Sequence, residues 1–167
     1  GYDLRVDYTD HGVVAHSEKN RENPCFLCAK LRRKRIFEIA HELNCNKVAL
    51  AHNKDDLIET LLLNMCYAGE IATMKPSQSY FRGEFILIRP LCFADENSIR
   101  KFASQQKFPV FENPCPTAGI SKRKEIKDLL ERLYASNRKI KGNIFRSMQR
   151  VSQEDRKSTR LNSSHYS

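Results

Sequence analysis

The most constraining feature of this sequence is a short apolar run, Lys47-Val48-Ala49-Leu50-Ala51, that passes without a spacer into His52-Asn53-Lys54-Asp55-Asp56 and then into Leu57, Ile58, Leu61, Leu62 and Met65 at helical spacing, ending before Gly69. Four or five apolar residues in a row suit a parallel strand buried on both faces, and a strand that runs straight into a helix is the repeating step of a layered α/β fold with a mostly parallel sheet. The rest of the chain alternates in the same way. Asp3 to Tyr8 reads as a strand, His11 to Pro24 as a polar loop, and about Cys25 to Leu43 as a helix striped by Leu31, Ile36, Phe37, Ile39, Ala40 and Leu43. A loop from Gly69 to Gly83 precedes a strand at Phe85 to Ile88, Asp95 is placed to cap a helix carrying Ile99, Phe102 and Ala103, and Phe108 to Phe111 reads as a last short strand. Basic helices are expected over about Ser121 to Ala135 and Ile140 to Val151, with no internal repeat and no second domain.

A chain of 167 residues is of single-domain length, and its 40 % hydrophobic content is modest for a globule but too high for a disordered chain. No apolar run reaches the roughly 18 residues of a membrane span and no charged-then-apolar leader opens the sequence, so a cytoplasmic setting without a membrane is expected. Two features of the ends stand out. The chain begins at Gly1 without methionine, within strand-like sequence, which points to a fragment, and Asp155 to His165 resembles a sequencing-adapter oligonucleotide read through in frame. We therefore expect a domain over residues 1–154 and a non-native tail over 155–167. The tail's Arg156, Lys157 and Arg160 against Asp155 account for only two of the nine surplus positive charges, so the body stays basic.

In a reducing compartment six cysteines are core residues, metal ligands or reactive thiols rather than disulfides. Cys45, Cys66 and Cys92 have apolar neighbours and read as small hydrophobes. Cys25-Phe26-Leu27-Cys28 differs: two thiolates three residues apart at a loop-to-helix junction can share one metal centre, with the helix N-terminus favouring their charge. Cys115, between Pro114 and Pro116 in an exposed turn, suits a third ligand from a distant part of the chain. Three thiolates fit iron and sulfur or zinc; a redox CxxC or half of a zinc site competes, although no second CxxC completes a closed zinc site.

The second constellation lies where the buried strand ends, the edge at which open α/β sheets bind ligands. His52, Asp55, Asp56 and Glu59 are spaced to share a helical face, and adjacent carboxylates there can hold Mg²⁺ on nucleotide phosphates. The plainer alternative is capping by Asp55, with Asp56 and Glu59 favoured by the helix dipole; it leaves the histidine unexplained. Two basic clusters, Lys30-Leu31-Arg32-Arg33-Lys34-Arg35 and Lys122-Arg123-Lys124, each follow a candidate cysteine. Such runs are usually solvated faces, but in a basic body they would attract a polyanion such as RNA.

Together these residues resemble the TtcA-type tRNA 2-thiocytidine biosynthesis family of PP-loop ATP pyrophosphatases, over nearly the whole body. Cys25-x-x-Cys28-x-x-x-Arg32-Arg33 is similar to its cysteine-arginine motif, and Ala51-His52-Asn53-Lys54-Asp55-Asp56-x-x-Glu59-Thr60 to its second nucleotide motif; Leu63-Asn64-Met65, Met74-Lys75-Pro76, Ile88-Arg89-Pro90-Leu91, Phe108-Pro109 and Ser147-Met148 follow in family order. The resemblance implies a Rossmann-like parallel sheet with flanking helices, of the HUP or adenine nucleotide alpha hydrolase-like kind, incomplete at its N-terminus. It implies an enzyme that uses ATP and Mg²⁺ to adenylate a cytidine in the tRNA anticodon loop and replaces the activated oxygen with sulfur, with a [4Fe-4S] cluster held by Cys25, Cys28 and Cys115. His52, Asp55, Asp56 and Glu59 would then line the nucleotide, with Asp55 and Asp56 catalytic, while Arg32, Arg33, Lys122 and Arg123 hold the tRNA. A sulfur donor such as a cysteine desulfurase is the further partner, and a homodimer is compatible with the pattern.

The departures are specific. Asn53 stands where the family usually has a second histidine, Ala51 and Lys34 replace glycines, and the Cys115 region has one cysteine where some members have two. The defining Ser-Gly-Gly-x-Asp-Ser phosphate loop is absent from the sequence, whose six glycines are isolated, so this chain alone is expected not to hydrolyse ATP. A PP-loop enzyme of the 2-thiouridine or lysidine type and a non-catalytic zinc and RNA-binding module are the rivals. The CxxC-xxx-RR motif argues against the lysidine type, and the lack of paired zinc motifs against the thiouridine type.

Overall fold

The computed structural model describes residues 4–20, 24–111, 115 and 121–150, apart from the side chain of Lys19. They fall into two compact units, Gly1–Asn53 with Lys75–Ser121, and Lys54–Met74 with Lys122–Ser167. The first unit contains α1 (His11–Ala15), α2 (Pro24–Glu42), β1 (Lys47–Ala49), β2 (Ser77–Tyr80), β3 (Phe85–Ile88) and α4 (Glu96–Gln105). The second contains α3 (Lys54–Tyr67), α5 (Lys122–Ser136) and α6 (Lys139–Ser147).

Within the first unit, β3 is the centre of a three-stranded sheet of order β1-β3-β2. β1 runs parallel to it, with Val48 opposite Leu87, and β2 antiparallel, with Gln78 opposite Leu87. This is the α/β architecture expected, with a parallel pair flanked by helices and an antiparallel edge added. The core forms where α2 lays Phe37 and Ala40 on Val48, Phe85 and Leu87. Phe37 is its hub, with ring centroids 5.3 Å from Tyr80 and 5.5 Å from Phe85, packing that adds about 0.5–1.5 kcal/mol per pair beyond burial. Proline at the first position of α2 costs no intrahelical bond. The helix stops at Asn44, whose left-handed φ of 53° lets Cys45 N–H reach Ala40 O at 2.8 Å and Asn44 N–H reach His41 O at 3.0 Å, the bonding of a Schellman close.

The second unit is a helical packing in which Ile58 of α3 is fully buried against Ile126 and Leu130 of α5, with Phe145 and Met148 beside them. Asn64, in the Leu63-Asn64-Met65 motif, explains its own place: its Nδ2 donates to Ala72 O at 2.8 Å and fastens the chain that leaves α3.

Several sequence expectations are corrected. Residues 4–8 form no strand; Leu4 and Tyr8 are 85 % and 92 % exposed, and without a pairing partner alternation alone makes no strand. The loop expected from His11 to Pro24 contains α1 and a 3₁₀ turn, Glu18–Asn20, and the loop expected from Gly69 to Gly83 contains β2. Phe108 to Phe111 is not a strand either. Lys107, at φ 52°, closes α4, Phe108 N–H bonds Ala103 O at 3.0 Å, and the Phe108 ring packs edge-on against Phe102, so Phe108 finishes a helix. Asp95 precedes α4 as expected but makes no side-chain cap bond. Of the three cysteines read as small hydrophobes only Cys92 is buried; Cys45 lies in the exposed turn after α2 and Cys66 on the exposed end of α3. Among the described residues no helix is long and apolar enough to cross a membrane.

Candidate functional site

The cysteine side belongs to the first unit. Cys25 and Cys28 occupy the first turn of α2, three residues apart and hence on neighbouring positions of one helix surface, the first exposed and the second half-buried. Cys115 is half-buried, with Sγ 4.0 Å from Nε2 of His16, whose Nδ1 lies 2.8 Å from Gly12 O. None of the six cysteines is in a disulfide. Among the described residues no three His, Cys, Asp or Glu side chains surround a point where a single metal ion would sit.

The basic run that follows divides in two. Arg32, Arg33 and Lys34 are exposed, whereas Arg35 is occupied by its own chain, binding Asp7 through Nε and Nη2 at 2.6 and 2.9 Å and Glu42 through Nη1 at 2.8 Å. A shallow hollow of about 450 Å³ lined by Phe37, His41, Phe81 and Phe85 lies near the start of β3; of the basic run it includes Arg35, and it includes none of the candidate cysteines, His52, Asp55, Asp56 or Glu59.

The strand-end histidine also belongs to the first unit. His52 follows β1, whose ladder continues one residue beyond the strand through Leu50 N–H to Ile88 O at 2.9 Å. Arg89 follows β3 and donates from Nε to His52 Nδ1 at 3.3 Å. His52 therefore lies outside the helix that carries the acidic residues, which corrects the expectation of one helical face shared by all four. Arg89 lies in the Ile88-Arg89-Pro90-Leu91 segment, but an arginine before proline carries no periodic signal that would mark it as a site residue.

The acidic residues belong to the second unit. α3 starts at Lys54, so Asp55 sits inside the first turn and is not the cap; both it and Asp56 are favoured by the helix dipole there. Each faces a cation. Lys141 Nζ is 2.6 Å from Asp55 Oδ1, and Arg123 Nη1 is 3.7 Å from Asp56 Oδ1 and 3.1 Å from Glu59 Oε2. Arg123 Nη2 also donates to Thr60 Oγ1 at 3.3 Å. Glu59 is buried, and desolvation pushes its carboxyl above the usual value against the pull of Arg123 and Lys127. Lys122, the other basic residue singled out here, pairs with Glu125 at 3.0 Å and lies over the Tyr67 ring. Asp55 and Asp56 thus form a half-exposed carboxylate pair, while Glu59 holds α5 onto α3.

Fold and site define the class: an α/β protein with chemically apt residues at the carboxyl ends of its parallel strands and at the start of the helix that follows. Residues 4–133 match the PP-loop domain model, and the chain belongs to that family. Its curated relatives include the tRNA-cytidine(32) 2-sulfurtransferase of Citrifermentans bemidjiense, 37 % identical over 155 residues that span 90 % of this chain and 60 % of the relative. Another, from Anaeromyxobacter dehalogenans, is 36 % identical over 84 % of this chain and 49 % of its own. The chain thus spans about half to three-fifths of these relatives' length. Among solved structures, the U34-tRNA thiolase NcsA from Methanococcus maripaludis, determined with its [4Fe-4S] cluster, shares the fold with a TM-score of 0.64 at 24 % identity, over 80 % of this chain and 45 % of that one.

Proposed function

We propose that this chain is part of an ATP-dependent tRNA-cytidine 2-sulfurtransferase that forms 2-thiocytidine in the anticodon loop. The observation that carries this reading is the joint presence, in a PP-loop chain with relatives of that name, of paired thiols in the first turn of α2 and paired carboxylates in the first turn of α3. In the reaction, the cytidine C2 oxygen attacks the α-phosphorus of ATP and expels pyrophosphate; sulfur then bonds to C2 and AMP leaves with the oxygen.

The donor set suits a [4Fe-4S] cluster, because Cys25, Cys28 and Cys115 are thiols with access to solvent, and iron–sulfur clusters take thiolate ligands. When bound, the cluster supplies the site from which sulfur is presented to the activated carbon. Asp55 and Asp56 are the oxygen donors that Mg²⁺ prefers, and Mg²⁺ arriving with ATP would take Asp55 from Lys141. Displaced from Asp55, the ammonium would face phosphate, so one residue would neutralise the site before binding and the ligand afterwards. Glu59, paired with Arg123, would support the nucleotide side by ordering the α3 turn. His52 borders the nucleotide. Arg32 and Arg33, exposed on the turns after the thiols, would contact the tRNA backbone; Lys122 and Arg123 would contact it only at the expense of Glu125, Asp56 and Glu59. A sulfur donor such as a cysteine desulfurase, a cytoplasmic setting and pairing of two chains complete the proposal.

Binding of an anticodon stem-loop RNA, measured by filter retention across a salt series, tests the RNA side. Arg32→Ala with Arg33→Ala is expected to weaken binding about tenfold and to flatten the salt dependence, since each phosphate contact releases counterions; binding equal to that of the parent chain would overturn this placement.

A further inference from the structure

Arg89 is 6 % exposed, yet no ion pair joins it to a carboxylate among the described residues. A buried guanidinium is costly unless its donors are satisfied, and burial accordingly pulls the Arg89 pKa below its ordinary value; arginine nevertheless stays charged in proteins. Its acceptors are neutral. Nη1 donates to Lys75 O at 2.5 Å, Nε donates to His52 Nδ1 at 3.3 Å, and the backbone N–H donates to Pro76 O at 2.8 Å. The Tyr80 hydroxyl is a further side-chain hydrogen-bond partner, while the Arg33 cation adds to the cost of the charge. Cys92 N–H closes a turn onto Arg89 O at 3.1 Å. One side chain thus joins the ends of β1 and β3 to the segment entering β2, and three short motifs, at 52, 75–76 and 88–91, meet at it.

We propose that Arg89 is a positioning residue that fixes His52 in its Nε2–H tautomer, making His52 a hydrogen-bond donor to an oxygen acceptor of the bound nucleotide and not a base. Guanidinium has donors and no acceptor. The His52 nitrogen facing it must therefore offer a lone pair, which places the single proton of the neutral ring on Nε2. An imidazolium would set N–H against N–H and cation against cation. The ring is then unable to take up a proton at Nδ1 without breaking the Arg89 bond, while Nε2–H is suited to a phosphate or ribose oxygen. The identity of the ligand rests on the nucleotide reading above; the tautomer rests on geometry alone.

Long-range ¹H–¹⁵N correlation of the histidine rings in the full ¹⁵N-labelled chain at pH 7.5 tests this, with His52 assigned by the signal lost in His52→Asn. The expected pattern is a protonated Nε2 and an unprotonated Nδ1. Arg89→Met, or Arg89→Gln where the first does not fold, since an amide both donates and accepts, is expected to lose that single pattern and give mixed tautomers. An Nδ1–H tautomer or an imidazolium at His52 in the parent chain would overturn the proposal, as would an unchanged Nε2–H pattern in a folded Arg89→Met chain. Adding ATP and Mg²⁺ separates the two readings: a shift at Nε2 supports both, and an intact Nε2–H tautomer that ignores ATP overturns the nucleotide reading while the tautomer stands. In ATP binding, His52→Ala is expected to lose about tenfold, roughly one hydrogen bond, and His52→Gln, which keeps a donor near Nε2, to lose less; equal losses would contradict a donor role.

Discussion

The two units contain ionic networks of the same chemistry and opposite consequence. In the first, Arg35 clamps Asp7 and Glu42 at the surface, Arg5 adds a second bond to Glu42 at 2.7 Å, and both carboxyls are held below their ordinary values, chiefly by hydrogen bonds from Arg35 and Arg5 respectively. In the second, Arg123 lies 3.1 Å from Glu59, yet the Glu59 carboxyl rises because burial outweighs the pairing. An ion pair favours its charges only where water is not taken away first. The network beside the candidate carboxylates is the one whose charges are costly, and an incoming ligand can displace such pairs more readily.

The largest expected effect is in packing. Ile58→Ala, at a fully buried position, is expected to cost about 3–4 kcal/mol and to speed hydrogen exchange in α3 and α5, whereas Leu62→Ala on the half-buried flank should cost less than half of that. Next, Arg123→Met removes the ion pair of the buried Glu59 and leaves it the weaker pull of Lys127. A loss of about 2 kcal/mol in urea unfolding is expected, below the range for fully buried pairs because Arg123 is itself 47 % exposed. A cost near zero would show that Glu59 simply protonates.

Much of this fold is legible in the sequence, and the exceptions are physical. α2, α3, α5 and β3 announce themselves because burial imposes a period: Phe37 and Ala40, Ile58 and Leu61, Ile126 and Leu130, Phe85 and Leu87. β2 is silent because Ser77-Gln78-Ser79 is polar and this edge strand gives the core only Tyr80, its place fixed by pairing with β3. The opposite error occurs at Leu4, Val6 and Tyr8 and again at Val110 and Phe111, where apolar residues at strand-like spacing stay exposed. In the site, His52 and the Asp55–Asp56 pair are visible because they follow a buried strand. Arg89, Lys141 and His16 are not, since each gains its meaning from a partner 37, 86 or 99 positions away.

A smaller effect sharpens the ligand side. Lys141→Met removes the ammonium that occupies Asp55, so Mg²⁺ affinity by isothermal titration is expected to rise by roughly threefold to tenfold, about 0.7–1.4 kcal/mol. A fall would mean that Lys141 organises the carboxylates and does not compete for them.

The smallest effects carry opposite signs. Asp7 is depressed, so its contribution is present above its ordinary value of 3.8 and is lost as the pH falls through the lower folded value. Glu59 is raised, so its favourable contribution is present below 4.5 and is lost as the pH rises through the higher folded value. Asp7→Asn should therefore lower the melting temperature increasingly from pH 3 to 5, and Glu59→Gln should raise it relative to the parent chain increasingly from pH 4 to 7. The same sign for both would erase the distinction between the two networks. In 1 M salt the Asp7→Asn effect should shrink more than the Glu59→Gln effect, because exposed pairs are screened.

Cys25, Cys28 and Cys115 are proposed to carry the sulfur chemistry. Anaerobic reconstitution of the chain with iron and sulfide, followed by absorbance and by iron and sulfide content, tests it most directly. A broad iron–sulfur absorbance with four irons per chain is expected, abolished by Cys25→Ser, Cys28→Ser or Cys115→Ser and retained in Cys45→Ser. Tight stoichiometric zinc with no cluster, or a cluster that survives Cys115→Ser, would contradict it.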